Sequence, residues 1–405
     1  MEESLILSVL KLWNPWEKEI NYGILRRKYI DLIYNFINNR EILLLKGIRR
    51  SGKSTIIKQL IKELIKNGVD KKQILYINLE DYNFANNLNV HLFEEIFVAY
   101  KNYSKNIKKS YIFIDEIQKI DGWEKWIRTY YDRETNIKFI LTGSSASLLS
   151  KELSTLLTGR NISFTIMPLS FIEFCEFSKN QNLEEYMKFG GFPEIVLNES
   201  EEKKRILLEQ YFTDIVNRDI IDRYNIRNAK QLIEIARYLI STAGSKISLN
   251  KLSKVFGISR DSLVLYINYM IDAYLLYEVT YFSYSAKIRH DVTKLPKLYV
   301  LDNGLINVVN IKYSENISKM FENTVLIKLL EKYKEIQYWS ELKSEVDFIV
   351  DTKAINVTST DKIPEREFKG LEDFQKKHKN FSILLVTKST TKDYLISLAE
   401  FLKNS

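Results

Sequence analysis

What most constrains this chain is one stretch, EILLLKGIRRSGKSTIIKQL at residues 41–60. Residues 42–45 form an apolar run short enough for a buried parallel strand, and the GIRRSGKS that follows has the G-x-x-x-x-G-K-[ST] spacing of a phosphate-binding loop. Gly47 and Gly52 permit torsions and close approaches that a Cβ would block, so the N–H groups of Ile48, Arg49, Arg50 and Ser51 can turn inward around a β-phosphate. Lys53 supplies a point charge for the β- and γ-phosphates. The Ser54 hydroxyl belongs in the first shell of a Mg2+ shared with them, and Thr55 is placed for the α-phosphate. From there Ile56, Ile57, Leu60, Ile61, Leu64 and Ile65 recur at helical spacing until Asn67-Gly68 supplies a stop. The phosphates therefore meet a helix N-terminus, where dipole and free N–H groups favour anions. The stretch predicts a bound nucleoside triphosphate.

The chain has 405 residues, enough for roughly two to four domains around this loop. A make-up of 45% hydrophobic and 28% charged residues is that of an ordinary globular protein. The formal net charge of +8 is compatible with nucleic acid or an acidic partner, but it speaks to association rather than mechanism. The single cysteine, Cys175, excludes an intramolecular disulfide and a thiolate zinc cluster, and His91, His290 and His378 show no ligand spacing. A reducing cytoplasm fits best. No run approaches the ~18 apolar residues of a membrane span. The short apolar start behind Glu2 and Glu3 is not that of a signal peptide, and no membrane partner is expected.

Strands and helices alternate through the first part of the chain. A helix over 26–39 leads into the loop strand, ILYINLED at 74–81 is a second apolar strand, and HLFEEIFVAYKNY is a helix. This order predicts a parallel sheet covered on both faces. The strand YIFIDEIQ at 111–118 carries Asp115 and Glu116 at its carboxyl end, about 60 residues after Lys53. Asp115 would hold Mg2+ through water, and Glu116 is placed to polarise the attacking water as general base. After an aromatic-rich helix, IKFILTGSSASLL is a strand tipped by Thr142-Gly143-Ser144-Ser145, beside the loop strand. Ser144 or Ser145 would align the water or touch the γ-phosphate, with a helix N-cap as the competing reading.

These residues together with LLTGR ending at Arg160, MPLSFIEF at 167–174 and GGFPEIV at 190–196 carry a resemblance that covers nearly the whole chain. The sequence resembles a prokaryotic, mainly archaeal family of AAA-type P-loop ATPases with a C-terminal domain of unknown function. The resemblance implies ATP and Mg2+ as cofactors. It makes Arg160 a finger candidate, acting in trans only if a neighbouring subunit is present; the competing reading is a structural arginine paired with a carboxylate. It makes the Gly-Gly-Phe-Pro turn the start of a helical lid, with Pro193 near the base of the nucleotide.

Beyond the lid, ISLNKLSKVFGISRDSLVLYINYMIDAYLLYEV reads as a helix, a turn with Ser259 as N-cap, a second helix and a β-rich tail. This is a winged-helix pattern, whose second helix is the potential reader of a DNA major groove and would expose Arg260, Asp261 and Asn268, Asp261 being unfavourable toward phosphate. The tail offers Lys287, Arg289, Lys294 and Lys297 for phosphates. Winged helices also serve as interdomain or protein-contact modules, and the tyrosines of the second helix fit that reading. The last segment, in α-β-β-β-α-β order, resembles the restriction-endonuclease-like fold. That fold needs a helix glutamate, a strand aspartate and a Glu-x-Lys pair to hold Mg2+. Glu322 and Asp347 match, but the third acid and the lysine fall on Asn356 and Thr358, so nuclease activity is not expected.

The expected fold class is thus α/β: a P-loop NTPase core with an AAA-like parallel sheet at 1–170, a helical lid at 171–228, a winged helix at 229–305 and a nuclease-like α/β domain at 306–405. The expected function is Mg2+-dependent ATP hydrolysis coupled to the later modules, on DNA or through a protein partner.

Overall fold

The apolar runs that alternate with helical periodicity become strands buried on both faces. The computed structural model describes residues 1–105, 107–144, 157–285, 294–309, 316–360 and 362–404. The chain divides into two compact units, Met1–Met167 and Pro168–Ser405.

In the first unit, α1 (Glu3–Trp13) and α2 (Arg27–Tyr34) precede β1 (Ile42–Lys46). There follow α3 (Lys53–Lys66), β2 (Ile74–Asn78), α4 (Val90–Ser104), β3 (Ser110–Asp115), α5 (Trp123–Arg133), β4 (Ile137–Gly143) and β5 (Asn161–Thr165). The sheet is parallel throughout, in the order β2-β3-β4-β1-β5. The helical stripe of α3, with Ile56, Ile57, Leu60, Ile61 and Leu64, packs on one face beside Ile30 and Ile33. Phe93 and Ile96 of α4 and Trp126 of α5 cover the other face. The edge strand β2 is closed by the N-terminal arm. Asn14 accepts the Tyr76 N–H at 2.7 Å and donates to the Tyr76 carbonyl at 2.8 Å, and the Trp16 indole donates to the Ile74 carbonyl at 2.8 Å. An amide and an indole thus take the hydrogen bonds that an open edge would offer to another chain.

The second unit begins with α6 (Phe171–Ser178), whose Ser170 and Glu173 form a capping box. Next come α7 (Leu183–Phe189) and α8 (Pro193–Val196), then α9 (Glu201–Asp214), which runs on through a π-helical stretch (Ile215–Ile221) to Tyr224. Helices α10 (Ala229–Ser241), α11 (Leu249–Phe256) and α12 (Arg260–Asp272) follow, with Ser259 capping α12 through the Ser262 N–H at 3.0 Å.

The remainder is β6 (Leu276–Tyr281), β7 (Lys297–Val300), α13 (Asn303–Val309), α14 (Ile317–Leu330), β8 (Gln337–Glu341), β9 (Ser344–Val350) and β10 (Lys353–Val357). It closes with α15 (Glu365–Lys377), β11 (Ser382–Thr387), β12 (Leu395–Ser397) and α16 (Leu398–Lys403). Its mixed sheet runs β12-β11-β10-β9-β8-β6-β7. The β-rich tail after α12 is therefore hydrogen-bonded into the C-terminal sheet, β6 pairing parallel with β8. Lys297, expected as a phosphate contact, is instead buried at the start of β7, because its register there turns the ammonium toward carboxylates of the sheet. Lys287 and Arg289 lie outside the described residues. Among the described residues no helix is long and apolar enough to cross a membrane.

Candidate functional site

The site forms at the carboxyl ends of β1, β3 and β4, where the chain leaves three adjacent strands on the same side of the sheet. Gly47 has φ +145°, and a Cβ there would lie 2.1 Å from the Ile166 carbonyl oxygen, so only glycine lets the loop cross the exit of β5. Gly52, at φ +95°, turns the chain into α3 with no side-chain cap on the helix. The first-turn N–H groups are left for an anion. Ile48 is buried, Arg49 is half-buried and 3.7 Å from Glu80, and Arg50 is exposed with φ +69°. Ser54 and Thr55 are half-buried at the helix start.

Two features of the loop fit a phosphate ligand. The Lys53 ammonium is buried and donates to the carbonyls of Gly47 and Ile48, each at 3.0 Å, which folds the side chain back across the loop. The Ser51 hydroxyl is also buried and has no hydrogen-bond partner within the protein. A buried orphan oxygen is costly, and a ligand or water would satisfy it. Behind the loop, Arg26 is buried. It donates to the Ser51 carbonyl at 2.9 Å and the Met167 carbonyl at 3.0 Å, with its guanidinium 4.6 Å from the Tyr29 ring centre.

Asp115 ends β3, and both of its carboxylate oxygens are held. Oδ2 accepts from the Tyr76 phenol at 2.9 Å, and Oδ1 accepts from the Thr142 hydroxyl. Thr142 in turn accepts the Glu116 N–H at 2.9 Å. Glu116 has a left-handed backbone, φ +57°, which points its side chain away from the strand direction. Its carboxylate accepts from the Gln118 amide, which also donates to the Ser144 hydroxyl at 3.3 Å, while the Gln118 amide oxygen is buried without a partner. Burial pushes the Glu116 pKa above its ordinary value and Asp115 adds to the shift, with Lys53 and Arg49 opposing it. Burial, reinforced by Asp115, likewise holds the Tyr76 phenol protonated as a donor. Ser54 and Asp115 are the oxygen donors that could hold Mg2+, a hard cation that takes one or two protein oxygens alongside phosphate and water.

The structure thus gathers the loop residues, Asp115, Glu116 and Ser144 at one end of the sheet. Tyr76, Thr142, Gln118 and Arg26 join them without having been singled out from sequence. Ser145 lies outside the described residues. Arg160 is at the other end. Its carbonyl accepts the Ile42 N–H at 2.8 Å, before β1 begins its run to the loop, and its guanidinium is 3.4 Å from Asp132. Pro193 opens α8 in the second unit.

Residues 39–175 match a family described as an AAA domain, and residues 180–335 match a domain of unknown function, DUF8612. An uncharacterized protein of Methanocaldococcus jannaschii, MJ1544, is 33% identical over an alignment covering 92% of this chain and 90% of that protein. An uncharacterized protein of Haemophilus influenzae is 30% identical, covering 80% and 83% respectively. This chain belongs to their family. It is a family with archaeal and bacterial members, and in this chain its N-terminal part is an AAA-type P-loop domain. The Walker-type ATPase PABY2304 of Pyrococcus abyssi superposes with a TM-score of 0.51 at 19% identity, over 71% of this chain and 96% of that one, a likeness of fold.

Proposed function

We propose that this family member is a Mg2+-dependent ATPase whose nucleotide state governs the segments after the P-loop domain. The observation that carries the proposal is the uncapped start of α3, with Lys53 and the orphan Ser51 hydroxyl on one side and the Asp115-Glu116 strand end on the other. Loop N–H groups from Gly47 to Thr55 and the Lys53 ammonium bind the triphosphate; Ser54 and Asp115 hold the cation. Mg2+, when bound, neutralises charge on the β- and γ-phosphate oxygens. Glu116, its basicity raised by burial, polarises the attacking water. Ser144, linked to Glu116 through Gln118, lies where a hydroxyl can report the γ-phosphate, and Ser145 is the neighbouring candidate. The rate gain comes from positioning and charge stabilisation, with no covalent intermediate. Arg160, paired with Asp132 at the far end of β1, is assigned as a finger only toward a neighbouring subunit. Pro193 is assigned to the lid of the nucleotide base.

The partner proposed for the second unit is DNA, through α11 and α12 of the expected winged helix, whose β-rich tail is part of the C-terminal sheet. Lys251, Lys254, Arg260 and Asn268 are exposed along α11 and α12, which supports that reading. A protein partner is the second reading, favoured by Val255 and Leu265, which are 63% and 47% exposed on the same two helices. The deciding experiment is ATP turnover by the full chain with Mg2+ at low salt, with and without duplex and single-stranded DNA. Absence of Mg2+-dependent turnover sinks the ATPase proposal. Stimulation by DNA upholds the first partner, and turnover indifferent to DNA upholds the second.

A further inference from the structure

The second unit contains a polar cluster that the nucleotide site does not use. Glu322 on α14 and Asp347 on β9 are the two acids that the nuclease resemblance singles out. They line a cavity of about 420 Å3 together with Glu345 and Glu367. In a metal-dependent nuclease the space between such carboxylates belongs to a divalent cation, bound at ~2.0–2.6 Å from each oxygen.

Three of these carboxylates already hold a side-chain cation, which is not itself among the residues lining the cavity. The Lys297 ammonium is 2.7 Å from Glu345 Oε1, 3.3 Å from Asp347 Oδ1 and 3.6 Å from Glu322 Oε1. A metal ion among the same oxygens would touch the ammonium, and two like charges in contact repel strongly. The lysine's backbone is fixed in the sheet and its side chain is buried. It pairs with Val279 across the β6–β7 ladder, bridges to Lys246 through the backbone, and lies 5.5 Å from the Tyr338 ring centre. Lys246 supplies a second cation, 2.7 Å from the other Glu345 oxygen. Burial draws the Lys297 pKa down, but Tyr299, Asp347, Glu322 and Glu345 outweigh it and keep the ammonium charged.

Neighbouring hydrogen bonds orient these carboxylates. Asp347 Oδ2 accepts the Val357 N–H at 3.0 Å. Asn356, at the position of the expected third acid, accepts the Asp347 N–H at 3.0 Å and donates to the Glu367 carboxylate at 3.2 Å. Tyr299 donates to Glu322 at 2.5 Å.

We infer that Lys297 is a built-in cation standing where the divalent ion of a nuclease centre would stand. The centre therefore binds no Mg2+ and cleaves no phosphodiester; its role is to tie β7 and the segment around Lys246 to the carboxylates of β9 and α14. This is independent of the ATPase reading.

The test is Mn2+ binding by the full chain without nucleotide, followed by the paramagnetic resonance signal of free Mn2+. The chain carries Asp115→Asn so that the first unit contributes no metal site. The expected result is no Mn2+ binding that depends on Asp347. Lys297→Ala should gain one Mn2+ per chain and lose it again when Asp347→Asn is added. Binding to the Lys297-intact chain that Asp347→Asn abolishes overturns the inference, as does a folded Lys297→Ala chain that binds none. Lys297→Met keeps the volume if the alanine variant fails to fold. If both fail, the Lys297-intact chain decides alone by the same criterion.

Discussion

The Tyr76 phenol donates a hydrogen bond to Asp115 Oδ2 at 2.9 Å from the neighbouring strand. With Thr142 donating to the other oxygen from the opposite side, the carboxylate is clamped between β2 and β4. Its orientation at the end of β3 is thus set by two strands that are distant in sequence. Partners of this kind orient a metal-holding carboxylate and tune its affinity.

Tyr76→Phe removes one side of that clamp and leaves the ring in place. The Mg2+ concentration for half-maximal ATP turnover should rise roughly tenfold or more, the usual effect of removing such a partner. Global stability should fall by about 1–2 kcal/mol, because a buried carboxylate oxygen loses a donor. Turnover measured against Mg2+ checks the first and urea unfolding the second. An unchanged Mg2+ curve would confine Tyr76 to a structural role.

On the proposed reading, Glu116 serves chemistry and Lys53 serves binding. Glu116→Gln keeps an acceptor for the Gln118 amide but removes the base, so ATP binding should persist while turnover falls by roughly 10²–10⁴-fold. Lys53→Ala removes the ammonium, and both binding and turnover should weaken. Nucleotide affinity by fluorescence and single-turnover hydrolysis distinguish the two. Parent-rate turnover by Glu116→Gln would show that another group activates the water.

The phosphate loop and the Asp115-Glu116 strand end were legible because each is a local pattern, an apolar run that stops at chemistry-bearing residues. Tyr76 and Thr142 were not, because their roles come from register. Tyr76 sits two positions before the Asn78 that faces Asp115 across β2 and β3, and Thr142 follows the Leu141 that faces Ile114. The Thr142-Gly143-Ser144-Ser145 tip is a local pattern, but nothing within it sets the threonine apart from the serines. Lys297 departs from the expected phosphate contact for the same reason. A lysine in a polar tail looks solvent-exposed until the tail joins a sheet with three carboxylates around it.

Gly47 allows a sharp packing test. A Cβ there meets the Ile166 carbonyl at 2.1 Å, so Gly47→Ala forces the loop off β5 and should cost more than ~2 kcal/mol, together with nucleotide binding. Gly68 is the control. It has φ +87° with nothing within 4 Å of the added Cβ, and Gly68→Ala should cost only the left-handed backbone penalty of about 1–2 kcal/mol and leave turnover intact. Thermal melts and ATP affinity of the two variants make the comparison.

Asp302 links pH to the second unit. It is fully buried and accepts the N–H groups of Gly191 at 2.7 Å and Gly304 at 2.8 Å. Burial raises its pKa from 3.8 to about 7, against the pull of those two donors. Glu322 is raised to about 7 by burial, with Asp347 adding and Lys297 opposing. A carboxyl whose pKa is higher folded than unfolded binds its proton more tightly in the fold. Its contribution to stability is complete below pH ~4 and is lost as pH rises to about 7, with a slope of at most ~1.4 kcal/mol per pH unit for each group. Urea midpoints between pH 5 and 7.5, read by hydrogen exchange of peptides from residues 168–405, should therefore fall with rising pH. Asp302→Asn cannot accept both N–H groups with oxygen, so it should lower stability by about 1–3 kcal/mol at acidic pH and flatten the slope, leaving the Glu322 share. An undiminished slope in that variant would assign the titration to another group and leave Asp302 as a turn clamp alone.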